Sequence, residues 1–187
     1  MKKRLFDLCL ALIAMLFLLL PILLVAFIVR FTSQGSILYW SDRVGRNNKL
    51  FKMPKFRSMR VDTPAVATHL LVNPAQFLTP VGSFLRKSSL DELPQLWSIL
   101  KGDMSFVGPR PALFNQQDLI EFRTQYNIDQ LAPGLTGWAQ INGRDDLPIV
   151  QKVQLDLWYL NNKSFLTDLK IILLTFIKVV RHDGVTH

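Results

Sequence analysis

Cysteine is almost absent from this 187-residue chain: Cys9 stands alone, so no disulfide framework is encoded. It lies in an apolar run and reads as an inert buried thiol. Acidic residues are also scarce, 14 against 22 lysines and arginines, which leaves a net charge of +8. So basic a chain suits anionic partners: nucleic acid, anionic lipid headgroups or phosphorylated substrates. Internal repeats and low-complexity tracts are missing, which excludes a repeat array, and the length fits one domain with a small appendage. Against these absences stands a large apolar content, 49% of residues, with a mean hydropathy of +0.21 that is high for a soluble domain.

Charge disappears altogether between Leu8 and Val29, "LCLALIAMLFLLLPILLVAFIV", a run of 22 residues. As a helix it would be roughly 33 Å long, enough to cross a bilayer core. The basic stretch Lys2-Lys3-Arg4 before it resembles a signal-peptide n-region. The apolar run is too long for a signal, however, and no small-residue cleavage site closes it. A core helix without polar positions does not suit so small a domain, so the run reads as a membrane segment. Bases mark cytoplasmic flanks, and both flanks carry them. Lys2, Lys3 and Arg4 precede the run; Arg30, Arg43, Arg46, Lys49, Lys52, Lys55, Arg57 and Arg60 follow it, with Asp42 as the one acid among them. A straight span cannot place both flanks on one side. A helix that bends and leaves on the face it entered can, and Pro21 supplies a cause for the bend. The competing reading is a merely kinked single span. The expected division is residues 1–30 as membrane helix and 31–187 as the domain on the membrane face.

The remainder reads as a mostly helical α+β domain. Strand-like runs at Ile37–Trp40 and Leu50–Phe56 flank a Gly45/Asn47/Asn48 turn. Residues 61–82 are irregular, residues 90–101 and 114–126 are expected as helices, and residues 132–144 as a glycine-containing loop. Two helices follow over about 147–162 and 165–181. In the last, Leu166, Leu169, Leu173, Phe176, Ile177 and Val180 form one stripe, with Lys170, Lys178 and Arg181 outside it. Such a helix suits a membrane interface, and core packing is the alternative.

The polar residues that point to chemistry gather around "SSLDELPQL" at 88–96. Ser89 and Glu92 fit a capping box, but Pro94 would then fall where a helix needs its N–H. Starting the helix at Asp91 moves Pro94 into the first turn and makes Asp91 an N-cap, a place that favours carboxylates and phosphates. Adjacent carboxylates can also divide two roles, attack on phosphorus and the holding of a divalent cation. Capping and catalysis both stay open on these residues alone. Lys55 and Arg57 alternate with Phe56, Arg86 precedes the pair, Arg110 lies between Pro109 and Pro111, and Arg144 ends the Asn142-Gly143 turn. Arginine forks match phosphate oxygens, so together these suggest an anion site.

The order of segments resembles the small monotopic phosphoglycosyl transferases, the bacterial sugar transferase family that initiates glycoconjugate assembly. The matching stretches are "KFRSM" (55–59), "RKSSLDELPQLWSILKGDMSFVGPRP" (86–111), "PGLTGWAQINGR" (133–144) and "LDLWYLNNKSFLTDLKIILLT" (155–175). They are long, specific and spread over nearly the whole chain.

The resemblance implies transfer of a phosphosugar from a UDP-sugar to a polyprenyl (undecaprenyl) phosphate, giving polyprenyl diphosphate-sugar and UMP. It implies that Asp91 is the nucleophile of a covalent intermediate and that Glu92, with Asp91 beside it, holds Mg²⁺. Arg86 matches a phosphate-binding arginine of the family, Lys55 a basic residue near its active site, and Pro109-Arg110-Pro111 a motif linked to nucleotide and phosphate contacts; Arg57 and Arg144 remain candidate phosphate-binding residues on their own chemistry. Asp156 matches a recurring acid whose role lies between metal binding and structural pairing. The first helix is implied to be re-entrant in the bacterial inner membrane, with the site on the cytoplasmic face. The family's helix break is commonly Ser-Pro; here it is Leu20-Pro21, so the break rests on Pro21 and its surroundings. Membrane lipids are implied partners, nucleic acid is not, and a homodimer is compatible. The rival class is a non-catalytic, basic, membrane-anchored binding protein, which would need neither Asp91 nor Glu92.

Overall fold

The structure is a computed structural model that describes residues 2–64, 66, 71, 73–143 and 147–181. The apolar run forms α1 (Lys2–Thr32), 31 residues and about 46 Å long, with Pro21 inside it. Two strands follow, β1 (Leu38–Val44) and β2 (Leu50–Phe56), paired antiparallel from Leu38↔Phe56 to Val44↔Leu50. β1 runs further than the Ile37–Trp40 expectation because its polar half, Ser41-Asp42-Arg43, also pairs with β2, opposite Met53, Lys52 and Phe51. The hairpin turns through Arg46–Asn48, where Asn47 and Asn48 take φ of 55° and 58°. Asparagine tolerates that left-handed region better than most residues.

The other elements are α2 (Gly82–Lys87), α3 (Gln95–Lys101), β3 (Ser105–Val107), α4 (Gln117–Gln125), β4 (Gly134–Thr136), α5 (Trp138–Ile141), α6 (Ile149–Asn162) and α7 (Phe165–Arg181). β3 and β4 pair in parallel, Ser105 with Gly134 and Val107 with Thr136. The segment expected as a loop at 132–144 therefore contains a strand and a short helix. Its glycines allow backbone contact: a Cβ on Gly134 would collide with the backbone of Gly108. The helix expected over 90–101 is also divided. A 3₁₀ turn at Leu90–Glu92 is separate from α3, because Ser89 takes φ 57° and Pro94 occupies the N-cap of α3.

One line of α1 faces the domain along its whole length. Asp7, Ala11, Val25 and Val29 are buried, and Ala14, Leu18 and Ile22 lie between them in the same stripe, at three- and four-residue spacing. Near the start, Lys3 Nζ donates to Asp168 Oδ2 at 2.6 Å, and Arg4 donates to the carbonyls of Ile99 and Leu100 at the end of α3. Asp7 accepts the Phe106 N–H of β3 at 3.2 Å, which satisfies an acid in an otherwise apolar helix. In the middle, Ala11 joins a core with Met53, Leu96, Ile99, Met104 and Ile171. Toward the end, Val25 and Val29 pack with Phe56 and Leu85.

The opposite line of α1, including Leu12, Leu16, Phe17, Leu20, Phe27 and Phe31, is exposed. Cys9 is exposed as well, so the thiol is not the buried one expected. Length and composition make this helix able to cross a membrane. The α7 stripe is resolved the same way: Leu166, Leu169, Leu173 and Phe176 point outward, while Asp168 and Ile171 face the core. These four side chains do not pack in the core; Ile177 is part-buried, and the Val180 side chain lies outside the described residues.

Candidate active site

The 3₁₀ turn at Leu90–Glu92 holds the two carboxylates on a firm apolar base. Leu90 and Leu93 on either side pack against the cluster of Val25, Val29, Phe56 and Leu85. Neither capping arrangement expected from the sequence forms. No side chain caps the 3₁₀ turn at Ser89, and α3 begins only at Gln95, without a side-chain cap. Asp91 is thus inside a turn and caps nothing, which leaves both carboxylates for other work.

β2 delivers Lys55, whose Nζ lies 2.6 Å from Glu92 Oε1. The Gly108-to-Pro111 turn after β3 delivers Arg110, whose Nη2 lies 3.4 Å from the same oxygen. Arg86, in the last turn of α2, places Nη1 3.1 Å from Met59 Sδ and contributes to the field at Asp91. Expected residues from three separate segments of sequence therefore gather around the acidic turn.

The two carboxyls are driven in opposite directions. Asp91 is 6% exposed, and burial pushes its carboxyl up to about 6. Lys55 opposes that, the neighbouring Glu92 charge reinforces it, and Arg86 and Arg110 oppose it more weakly. Burial also acts on Glu92, but Lys55, Arg110 and Arg43 more than offset it and hold that carboxyl well below its usual range. A pair of carboxyls separated in this way can take distinct roles. Among the described residues, neither the Asp91 carboxylate nor Glu92 Oε2 accepts a hydrogen bond. A hard cation takes one or two carboxylates together with phosphate oxygens, and this donor set fits it. No group of three or more His, Cys, Asp or Glu side chains forms a fuller cage among the described residues.

Other expected residues fall elsewhere. Arg57 turns away from the acidic pair. It donates to Ser36 O at 2.8 Å and to Ser36 Oγ at 2.9 Å, and its guanidinium lies 6.0 Å from the Tyr39 ring. The reason is that β2 ends at Phe56, so strand alternation no longer governs Arg57. Arg144 lies outside the described residues. Asp156 is buried in α6 and takes Nε and Nη2 of Arg123 on Oδ2, at 3.0 and 2.6 Å. It therefore pairs with Arg123 and is not in contact with the acidic pair at Asp91 and Glu92. Sequence reasoning missed Arg123 and gave Arg43 no role in the site. The overlooked signal for Arg123 was register, because it lies one helical turn from buried Leu119, as Asp156 lies three residues from buried Val153 and Tyr159.

Comparison with known proteins adds to this geometry. The profile of the bacterial sugar transferase family matches residues 1–182. The chain belongs to the bacterial sugar transferase family. It is 41% identical over 183 residues to "Uncharacterized sugar transferase EpsL" of Bacillus subtilis, covering 98% of this chain and 89% of the relative. It is 37% identical to "UDP-galactose-lipid carrier transferase" of Erwinia amylovora, covering 97% of this chain and 41% of the relative. It is 36% identical to "Undecaprenyl-phosphate galactose phosphotransferase" of Salmonella typhimurium, again covering 97% and 41%. The two longer relatives thus carry further sequence beyond the matched part. As a member of this family the protein is a transferase.

Proposed function

We propose that this transferase moves a phosphosugar from a UDP-sugar to undecaprenyl phosphate, with Asp91 as the nucleophile. The observation that carries the reading is the acidic turn: two adjacent carboxyls, Asp91 buried and Glu92 part-buried, pushed apart in acidity by burial and by Lys55, Arg86 and Arg110. The family relatives named for a UDP-sugar and for undecaprenyl phosphate support the choice of donor and acceptor.

In the first step an oxygen of the Asp91 carboxylate forms a bond to the sugar-bearing phosphorus. The bond from that phosphorus to the bridging oxygen breaks, and UMP leaves with the electron pair. In the second step an oxygen of the lipid phosphate attacks the same phosphorus, and the Asp91–phosphorus bond breaks. The products are undecaprenyl diphosphate-sugar and free carboxylate. Lys55 and Arg110 hold Glu92 ionised in place, while Arg86 and Arg110 offer donors to the diphosphate. Mg²⁺ held by Glu92 and Asp91 would supply neutralisation of the diphosphate charge.

The acceptor phosphate is confined to a membrane surface, so the site has to lie there. Both ends of α1 rest on one domain, through Lys3, Arg4 and Asp7 at its start and Val25 and Val29 near its end. This supports a same-face arrangement, with the outward lines of α1 and α7 in lipid and the acidic turn above them on the cytoplasmic face of the inner membrane. The test is UMP release from a panel of UDP-sugars with undecaprenyl phosphate, with and without Mg²⁺. Release that requires both acceptor and cation, and that Asp91→Asn abolishes, is expected. Near-wild-type turnover by Asp91→Asn would remove the nucleophile assignment.

A further inference from the structure

Four consecutive carbonyls, from Pro109 to Ala112, each accept a hydrogen bond, from three other parts of the chain. Pro109 O accepts from Gly134 N at 2.9 Å, and Ala112 O from Val44 N at 2.9 Å. The two central carbonyls are held by guanidinium groups: Arg110 O by Arg123 Nη1 at 2.8 Å, and Pro111 O by Arg43 Nη1 at 3.0 Å. Pro109 and Pro111 lack N–H groups, so the carbonyls are the principal handles by which this turn can be fixed. Arg123 is itself fixed by the two bonds to Asp156, and both members of that pair are buried.

We propose that Arg123, braced by Asp156, and Arg43 are positioning residues that clamp the Pro109–Pro111 turn and so aim the Arg110 guanidinium at Glu92 and the donor diphosphate. Burial of Asp156 and Arg123 is expensive, and an apolar pair could fill the same space. What an apolar pair could not provide is the third donor, Nη1, reaching the Arg110 carbonyl. Lysine could not provide it either, because its ammonium is a point charge without a planar fork. Arg43 also bonds Ser41 Oγ at 2.9 Å, which fixes its reach to Pro111.

The mechanistic half of this inference rests on the proposed phosphosugar transfer, and a thermodynamic cycle tests it. Arg123→Lys keeps a cation beside Asp156 and removes the fork. It is expected to lower kcat/KM by about 10- to 100-fold, the range seen when an outer partner of a reactive site is lost. Part of that loss appears as a raised KM for the UDP-sugar, with KM for the lipid phosphate unchanged. Mere loss of folded enzyme would lower kcat alone. In an Arg110→Ala background the same Arg123→Lys change is expected to have less than about a twofold effect, because residues acting through one group are non-additive. Arg43→Lys, which leaves the buried pair alone, gives the same pattern and keeps the test valid if the Arg123 variant does not fold. Full additivity with Arg110→Ala, or unchanged KM for the UDP-sugar, overturns the proposal. Hydrogen exchange over residues 105–116 reads the clamp without any chemistry: faster exchange in both lysine variants is expected, and unchanged protection overturns it. If wild-type protein releases no UMP from any donor, phosphosugar transfer fails while the exchange result still decides the clamp.

Discussion

Replacing Asp91 by asparagine should make the protein more stable while making it inactive. Burial raises the Asp91 carboxyl from its ordinary 3.8 to about 6, so the native state binds this proton more tightly than the unfolded chain does. Native stability from this group is greatest below pH 3.8, falls as pH rises toward about 6, and is then constant. At 1.36 kcal/mol per unit, the gap amounts to about 3 kcal/mol of strain at pH 7.5. The opposing effects of Lys55, Arg86 and Arg110 are already inside that net shift. Asparagine keeps the shape and removes the charge. In a chain of this size each kcal/mol moves Tm by about 2–4 °C, so the gain is at most about 6–12 °C. The assay is thermal unfolding in detergent with EDTA, at pH 7.5 and again at pH 4.5. The gain should be clear at pH 7.5 and shrink at pH 4.5, where wild-type Asp91 is largely protonated. Added Mg²⁺ should stabilise wild type more than the variant. Equal or lower Tm for Asp91→Asn in EDTA at pH 7.5 would refute the claim that this carboxylate is held against its own burial cost.

Other outcomes follow from the same geometry. Lys55→Met leaves Glu92 without its closest cation and should cost about 3 kcal/mol, read by the same melts, with loss of activity. Asp156→Asn leaves the Arg123 guanidinium buried without its counter-charge and should cost about 3–5 kcal/mol. The acid limb of kcat/KM should rise with pH through about 6, since Asp91 attacks only when ionised, and unchanged rates from pH 5 to 8 would contradict that role. With Cys9 replaced by serine, single cysteines at Lys2 and Lys52, both exposed, should be labelled from the same side of sealed vesicles; labelling from opposite sides would exclude the same-face arrangement.

The elements that sequence made legible were those with a strong local period or a strong breaker. The apolar run became α1, the Leu50–Phe56 strand and the 165–181 helix appeared where expected, and the Asn-rich turn joined the hairpin. The acidic turn was harder because two local rules pointed to two helix starts. The structure satisfies neither, since Ser89 takes a left-handed conformation and Pro94 is the N-cap of α3, which begins at Gln95. Arg57 was misplaced because alternation was extended one residue past the end of β2. Arg123 and Arg43 could not be assigned from local pattern. Their partners are the carbonyls of Arg110 and Pro111, and Arg43 lies 68 residues from Pro111. Local period carries no record of such contacts. A charged residue in the apolar register of α4, matched by another in α6, was the only trace of the Arg123–Asp156 pair.

Incubation of the protein with a UDP-sugar labelled in the sugar-proximal phosphate, in the absence of lipid acceptor, tests the central claim most directly. Proteolysis and mass spectrometry then locate the label. The account predicts a phosphosugar on Asp91, within the 86–96 segment, that undecaprenyl phosphate discharges and that Asp91→Asn never acquires. Turnover with acceptor but no covalent label on the protein, or a label on another residue that discharges at the catalytic rate, would contradict it.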